Sequence, residues 1–200
     1  MPNYCYYEMH VKGKRENIEE FRQVMIDYER PQHFWRVFNA DIDYGEPDKD
    51  GLTVALISGD CAWSVYSCMC TGKCTYADDV DESRRTSLQS ESARLQLEIE
   101  VFSDEPGMAF QEHYYYNHGE EIISDCVDCR HYWFGENVGE SEEDRLKRFS
   151  EFKAECGIDT NLTLDDLDDG SEIVIGGYSP WTFKFLIILL SPAEMSGSFV

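Results

Sequence analysis

The spacing of apolar residues changes along the first part of the chain, and this change constrains the fold more than any other feature. Residues 4–12 alternate, which predicts a half-buried strand with Cys5, Tyr7, Met9 and Val11 on its apolar face. Residues 14–29 repeat at steps of three and four instead, which predicts an amphipathic helix. Pro31 follows and predicts the end of that helix, because proline cannot continue the helical hydrogen bonds.

Four further elements are predicted in the first hundred residues. Strands are expected at 33–42 and 52–58, with an acidic turn at 43–51 between them. A helix is expected at 81–93, and the strictly alternating residues 95–101 indicate another strand. The order βαββαβ is the plan of a ferredoxin-like sandwich, in which helices cover one face of an antiparallel sheet. The predicted fold class is therefore α+β.

An antiparallel meander is predicted to extend this sheet. The aromatic segment 108–117 pairs naturally with residues 120–126 across a turn at 117–119, and residues 129–134 add a further short strand. These segments complete a ferredoxin-like domain at residues 1–134.

A polar joint at 135–141 separates this domain from the rest of the chain. A helix is predicted at 141–155, followed by a hairpin formed by residues 171–177 and 180–189. Residues 135–200 are therefore predicted to form a small C-terminal α/β appendage.

The charge of the chain disfavours one class of partner. The sequence has 17 basic and 40 acidic side chains, a net charge of −23, and residues 1–40 contribute no net charge. Direct binding to nucleic acid or to an anionic membrane is disfavoured, because recognition of phosphate needs clustered Lys and Arg. A basic or nucleic-acid-handling host protein is the expected partner, and plain solubility is the alternative explanation.

Neither a signal peptide nor a membrane span is predicted. Residues 1–12 lack a basic start followed by an apolar stretch, and the apolar run at 185–190 has only six residues. A membrane helix needs about 20. We therefore expect a cytoplasmic protein whose eight cysteines are reduced.

Three separated segments resemble one known family. They read MPNYC at residues 1–5, GDCAWSVYSCM at 59–69 and SDEPGMAFQEHY at 103–114. In this order they are similar to the YubB-type ferredoxin-like family of phage, plasmid and integrative-element proteins, although Tyr4 stands where the family more often has Trp. The resemblance covers residues 1–134. It implies the ferredoxin-like fold and a mobile-element setting, and it carries over no catalytic residues because the family has no established reaction.

Cysteine and histidine spacing suggests a metal site only weakly. Cys126 and Cys129 form a CxxC motif, placed on a turn, and His131 follows on the face of Cys129. Cys70 and Cys74 offer two further thiols, but their three-residue spacer is irregular for zinc. We therefore expect no cofactor and no stoichiometric metal, with Cys126, Cys129 and His131 as the alternative metal ligands.

A dense block of aromatic residues and cysteines at 59–70 suggests either core packing or a pocket wall. On a strand, Glu112 and Tyr114 share a face that Asp60 is expected to approach across the sheet. The candidate pocket residues are Asp60, Trp63, Tyr66, Glu112 and Tyr114. Ser-His-Asp ordering, a phosphate loop and a dinucleotide fingerprint are absent from the sequence, so we do not expect an enzyme.

The favoured hypothesis is a non-enzymatic acidic interaction protein that imitates nucleic acid and inhibits a host nucleic-acid-binding protein. The candidate partner-binding residues are Glu120, Glu121, Asp125, Asp128, Asp165, Asp166, Asp168 and Asp169. The alternative is a small-ligand- or metal-binding domain that uses the aromatic and cysteine block. An ordered pocket at Trp63, Tyr66, Glu112 and Tyr114 would favour that alternative, and a broad negative face without a pocket would favour the acidic interaction protein.

Overall fold

The architecture is α+β, with a seven-stranded antiparallel sheet as its centre. The computed structural model describes residues 3–70, 82–135, 139–158, 161–166 and 172–178. The strands are β1 (Tyr4–Gly13), β2 (Asp41–Tyr44), β3 (Thr53–Ala62), β4 (Glu98–Glu105), β5 (Phe110–Asn117), β6 (Glu120–Trp133) and β7 (Glu172–Gly176). The helices are α1 (Arg15–Ile26), α2 (Leu88–Leu95) and α3 (Glu142–Cys156), with shorter helical turns at Tyr66–Cys70, Glu82–Arg84 and Leu164–Asp166.

The strands lie in the order β2-β3-β1-β4-β5-β6-β7. Strand β1 pairs with β3 on one side, where Cys5 faces Cys61, and with β4 on the other, where Tyr7 faces Ser103. The hairpin of β5 and β6 contains a bulge at Ile122, because Tyr115 pairs with Ile123 and Tyr116 with Glu121. Pairing with β7 continues the sheet from Cys129 to Trp133.

One face of the sheet carries the main hydrophobic core. The alternating side chains predicted for the first strand, from Cys5 to Val11, are buried on this face together with Ile57 and Ile99. Helices α1 and α2 pack into the same cluster through Phe21 and Leu88. The predicted alternation of β1 and the amphipathic character of α1 are therefore confirmed.

The predicted strand at 33–42 is wrong except at its end, where β2 begins at Asp41. Phe34 and Trp35 are adjacent and both buried, so the segment does not alternate like a strand. Its backbone donors also go to different elements. Phe34 N–H bonds the Val24 carbonyl at 3.1 Å, and Phe38 N–H bonds the Asp60 carbonyl at 2.8 Å.

Two other boundaries differ from those predicted. Strand β3 extends to Ala62, so the start of the aromatic and cysteine block is a strand. Leu95 ends α2, and Gln96 adopts a left-handed conformation with φ of 53°, so β4 begins only at Glu98. The apolar spacing of Leu95 and Leu97 thus spans a helix end and not a continuous strand.

A second, smaller hydrophobic cluster lies at the far end of β6. Phe134, Phe149 and Phe152 form its centre, where rings of Phe134 and Phe149 meet at 5.0 Å. The helix α3 follows the predicted range closely, because Ser141 caps it and Gly157 ends it in a left-handed conformation. The predicted strand at 180–189 lies outside the described residues. No helix in the described part of the chain is long and apolar enough to cross a membrane.

Candidate functional site

Two residues with unusual backbone conformations begin the candidate site. Arg36 and Trp63 have positive φ values of 50° and 64°, which residues other than glycine rarely adopt. Both conformations are held by backbone hydrogen bonds. The Ala62 N–H bonds the Arg36 carbonyl at 3.1 Å, and the Trp63 N–H bonds the Asn3 carbonyl at 2.9 Å. Three separate segments of the chain therefore meet at this point.

Two guanidinium groups and two indole rings are stacked beside these backbone bonds. The Trp35 and Trp63 rings lie 5.4 Å apart, and Arg36 Cζ lies 4.7 Å from the first ring and 5.0 Å from the second. Arg85 Cζ lies 5.1 Å from the Trp35 ring. Such cation–π contacts hold cations in place without a carboxylate. A cationic and aromatic cluster thus stands out in a chain of net charge −23.

Arg85 contributes a second unusual feature. Its side chain is buried, and Nη2 donates to the Ser67 carbonyl at 3.0 Å. Neither Nε nor Nη1 has a hydrogen-bond partner among the described residues. Burial of an unpaired donor is costly, so this guanidinium depends on its contacts with the Ser67 carbonyl and the Trp35 ring.

Glu112 anchors the neighbouring part of the site. Its carboxylate is 2% exposed and accepts four hydrogen bonds. The backbone N–H groups of Val65 and Tyr66 donate at 2.8 and 3.1 Å, and the hydroxyls of Ser103 and Tyr114 donate at 2.6 and 3.0 Å. Val65 and Tyr66 begin the helical turn, so Glu112 satisfies amides that such a turn leaves unpaired.

The ionisation of this carboxylate reflects two opposing causes. Burial raises the pKa of Glu112, and the hydrogen bonds from Ser103, Val65, Tyr114 and Tyr66 oppose that increase. Burial also raises the pKa of Tyr114, with Glu112 adding to the effect. The phenol therefore stays protonated and donates to the carboxylate at neutral pH.

Two adjoining depressions define an aromatic groove around these residues. The first has a volume of about 650 Å³ and is lined by Asn3, Arg36, Trp63, Ser64, Ser67, Glu105, Met108 and Phe110. The second, of about 440 Å³, is lined by Ser64, Tyr66, Phe110, Glu112, Tyr114, Ser124, Asp125 and Cys126. Both contain Ser64 and Phe110, so they lie side by side. Four of the five predicted pocket residues thus line this groove.

The fifth predicted residue, Asp60, does not belong to the groove. Asp60 is one position from Cys61, which faces the helices, so the pleat of β3 directs Asp60 to the opposite face. There its carboxylate accepts from Asn39 Nδ2 at 2.9 Å, and its N–H donates to Asn39 Oδ1 at 2.8 Å. The expected approach of Asp60 to Glu112 is therefore wrong.

The predicted arrangement of the CxxC motif is also wrong. Cys126 and Cys129 lie within β6 and not on a turn, and their spacing of three places them on opposite faces. Cys126 is exposed in the groove, whereas Cys129 is buried on the other face beside His131. The group that joins Cys129 and His131 is the carboxylate of Asp104, on β4. Cys74 lies outside the described residues.

The predicted acidic residues are spread over several environments. Glu120, Glu121, Asp125 and Asp128 are exposed on β6. Glu121 accepts from the Tyr116 hydroxyl at 3.3 Å, and Asp125 accepts from the Tyr178 hydroxyl at 2.5 Å. Asp165 is exposed in the helical turn that ends at Asp166. Asp168 and Asp169 lie outside the described residues.

Sequence reasoning missed Arg36, Arg85 and Asp104 as site residues. Arg36 sits in a segment interpreted as a regular strand, which concealed its left-handed backbone. The one available signal was the scarcity of basic residues, because each unpaired cation in so acidic a chain needs an explanation.

Comparisons with protein-family models, with curated proteins and with solved structures found no significant match.

Proposed function

We propose that the protein binds a small, partly apolar ligand in the aromatic groove. The observation that carries this proposal is the pair of left-handed residues, Arg36 and Trp63, that line one depression. A left-handed conformation costs a non-glycine residue roughly 1–2 kcal/mol. Strain of this kind clusters at ligand sites, where the surrounding structure holds it in place.

The chemistry of the lining indicates the class of ligand. Trp63, Met108 and Phe110 offer apolar surface, and the Arg36 guanidinium stands over the Trp63 ring. Glu105 is buried and its carboxylate accepts the Met108 N–H, so its charge is turned inward. We therefore propose a ligand with an aromatic or apolar body and an anionic group that pairs with Arg36.

The three segments that resemble the YubB-type family also support the groove. Asn3 comes from the first segment, Trp63 and Tyr66 from the second, and Phe110 and Glu112 from the third. These segments are far apart in sequence and meet at one surface. A ligand site shared with that family would explain why these three segments line the same groove.

We also propose the ferredoxin-like relationship for residues 1–134. Strands β2, β3, β1 and β4 are consecutive in the sheet, α1 joins β1 to β2, and α2 lies between β3 and β4. This order and the placement of both helices on one core support the proposal. On this assignment, β5 and β6 extend the sheet, and the chain from α3 onward is the appendage.

We propose binding without catalysis because hydrogen bonds from the protein occupy both oxygens of the buried Glu112 carboxylate. Glu112 accepts four hydrogen bonds, and two come from backbone amides that cannot move away. Its neighbour Tyr114 has a raised pKa because of burial, so the phenol is a poor general base. Glu112 and Tyr114 therefore shape the groove and position the helical turn at Tyr66–Cys70.

The test uses 8-anilinonaphthalene-1-sulfonate, an aromatic anion whose fluorescence rises in apolar sites. We expect a saturable signal, weakened roughly fivefold by Arg36→Gln, because one cation–π or ionic contact is worth about 1 kcal/mol. Arg15→Gln is the matched control. It removes the same charge and a guanidinium stacked 4.0 Å from the Tyr44 ring, away from the groove. Equal effects of the two variants, or no saturable signal, would contradict ligand binding at this groove.

An acidic partner-binding surface remains a second proposal. Its support is the four exposed carboxylates on β6, the strand from Glu120 to Trp133. Glu121 and Asp128 lie on the face of the groove, and Glu120 and Asp125 lie on the opposite face. Exposed carboxylates along one strand attract a basic protein as nucleic acid does, and this attraction weakens as salt rises. This proposal keeps the mobile-element inhibitor hypothesis open and does not depend on the groove.

Its test compares two double variants by pull-down from host lysate at low and high salt. Glu120→Gln with Asp128→Asn should release a basic, nucleic-acid-handling partner that DNA also displaces. Glu151→Gln with Glu155→Gln removes the same charge from exposed positions of α3 and should retain the partner. Glu121 and Asp125 are left intact because their hydrogen bonds to Tyr116 and Tyr178 would also be lost. A partner that ignores salt and the first double variant would refute the mimicry.

A further inference from the structure

Three side chains with metal-binding atoms converge on the sheet face opposite the groove. Cys129 and His131 are two residues apart on β6, so they share this face. Asp104 reaches them from β4, across the intervening strand β5. Cys129 Sγ lies 3.3 Å and Asp104 Oδ1 lies 3.0 Å from His131 Nε2. All three donor atoms lie within 4.8 Å of one another.

The geometry differs from that of a catalytic relay. In a relay, the histidine contacts the nucleophile through one ring nitrogen and the carboxylate through the other. Here both the thiol and the carboxylate approach the same atom, His131 Nε2. A tetrahedral site with metal bonds of about 2.0–2.3 Å needs donor atoms about 3.3–3.8 Å apart, and the separations of 3.3 and 3.0 Å from His131 Nε2 are close to that range. A single cation between them would therefore bond all three without a large movement.

We propose that Asp104, Cys129 and His131 bind a transition-metal ion, and that their donor chemistry favours Zn²⁺. A thiolate, an imidazole and a carboxylate are its three usual types of ligand in proteins. Three protein ligands leave the fourth tetrahedral position to solvent or to a ligand supplied by a partner. The site lies on the opposite face from the aromatic groove, so it is independent of the proposed ligand binding.

The residues around these donors hold them in place. Gln111 is buried, and its Nε2 donates to Asp104 Oδ2 at 3.3 Å, which leaves Oδ1 directed at His131. The orientation of Gln111 is itself set by the Tyr178 N–H, which donates to its Oε1 at 2.7 Å. Hydrogen bonds of this kind orient carboxylate ligands in known metal sites.

The chain at the end of β7 passes close to the site through two glycines. Gly176 pairs with Cys129, and Gly176 and Gly177 have positive φ values of 83° and 73°. A side chain at Gly177 would collide with Gln111 and approach Cys129. The positive φ and this close approach together favour glycine beside the buried Cys129.

The test is titration of the metal-free protein with Co²⁺, a spectroscopic substitute for Zn²⁺. We expect one equivalent to produce a thiolate-to-cobalt charge-transfer band in the near ultraviolet, and Zn²⁺ to remove that band. Cys129→Ser should abolish the band, and Asp104→Asn should weaken affinity by at least roughly 10–100-fold, the loss typical of a residue that only supports a metal ligand. Cys126→Ser is the matched control, because it removes a thiol three residues away on the other face.

Circular dichroism of each variant separates loss of metal from loss of fold. Asp104→Asn keeps the shape of the side chain and its bond to Gln111, so it serves where Cys129→Ser is unstable. Absence of the band in the wild-type protein would overturn the proposal. So would a band lost in Cys126→Ser or unchanged in a folded Cys129→Ser variant, because the thiolate would then come from elsewhere.

Discussion

A single carboxylate, Glu112, fixes the position of the helical turn that follows β3. Its oxygens accept from two backbone amides of that turn and from two hydroxyls, so four separate donors meet at one buried group. Loss of either Glu112 oxygen as an acceptor leaves its donors buried without a partner. Such a donor costs about 1–3 kcal/mol.

We predict that Glu112→Gln lowers the free energy of unfolding by about 2–3 kcal/mol, because its amide nitrogen cannot accept from two of the four donors. Urea unfolding of both proteins at neutral pH measures this loss. Glu120→Gln is the control, since Glu120 is exposed and should change stability by less than about 0.5 kcal/mol. Equal stability of wild type and Glu112→Gln would mean that solvent reaches this carboxylate.

The pH dependence of this effect has a defined sign. Burial raises the pKa of Glu112 above its unfolded value near 4.5, so the folded chain holds this proton more tightly. The resulting stabilisation is complete below the unfolded pKa and is lost as pH rises through the folded pKa. We therefore expect the difference in unfolding free energy between wild type and Glu112→Gln to narrow as pH rises from the unfolded pKa of this carboxyl through its folded pKa. Urea midpoints at a series of pH values check this, and a widening difference would contradict it.

The left-handed backbone at Arg36 allows a different kind of prediction. Arg36→Gly removes an exposed stacked guanidinium but suits φ of 50°, so stability should stay within about 1 kcal/mol of wild type. Arg36→Val also removes the guanidinium but places a β-branched side chain in that conformation. It should cost about 1–2 kcal/mol more than Arg36→Gly by urea unfolding. The same stability for both variants would show that the loop relaxes out of the left-handed region.

At the scale of elements, strict periodicity predicted structure well. Strand β1, helix α1 and helix α3 lie close to their predicted bounds, since each is a long amphipathic segment with a clear end signal. The hairpin of β5 and β6 was also predicted, from the turn residues Asn117, His118 and Gly119. These elements depend on local chemistry. The separate short strand predicted at 129–134 is wrong, because β6 continues without a break to Trp133.

Segments that depend on distant partners were not predictable. Residues 33–40 bond to carbonyls of α1, β3 and the turn after it, and no local pattern encodes those acceptors. For the site, Trp63, Tyr66, Glu112 and Tyr114 were found because aromatic density marks a pocket. Asp104 was missed because it joins Cys129 and His131 only through the order of β4, β5 and β6. Strand order is a property of the whole sheet.

The two hydrophobic clusters lead to a prediction about truncation. The larger cluster draws its buried residues from Cys5 to Tyr116, whereas the smaller one is centred on Phe134, Phe149 and Phe152. We predict that a chain of residues 1–134 still unfolds cooperatively in urea, with a smaller m value because less surface is exposed on unfolding. A truncated chain without a transition would show that α3 and β7 belong to the same cooperative unit.

At the scale of the molecule, the net charge of −23 sets how stability responds to salt. Self-repulsion of so many carboxylates opposes the compact state, and salt screens it. We predict that Tm rises by a few degrees between about 0.02 M and about 0.5 M NaCl, as the Debye length shortens several-fold. Calorimetry measures this shift. A fall in Tm would mean that ion pairs such as Arg94–Glu20, at 2.6 Å, outweigh the repulsion.

The small size of β2 has a consequence for self-association. It forms one edge of the sheet, spans only four residues, and carries exposed Asp41 and Asp43. An unpaired edge strand is a template on which a second chain can add its own strand and start an aggregate. A short edge that bears two negative charges repels an identical edge from another copy. We therefore expect the protein to resist edge-to-edge polymerisation through β2 even at high concentration.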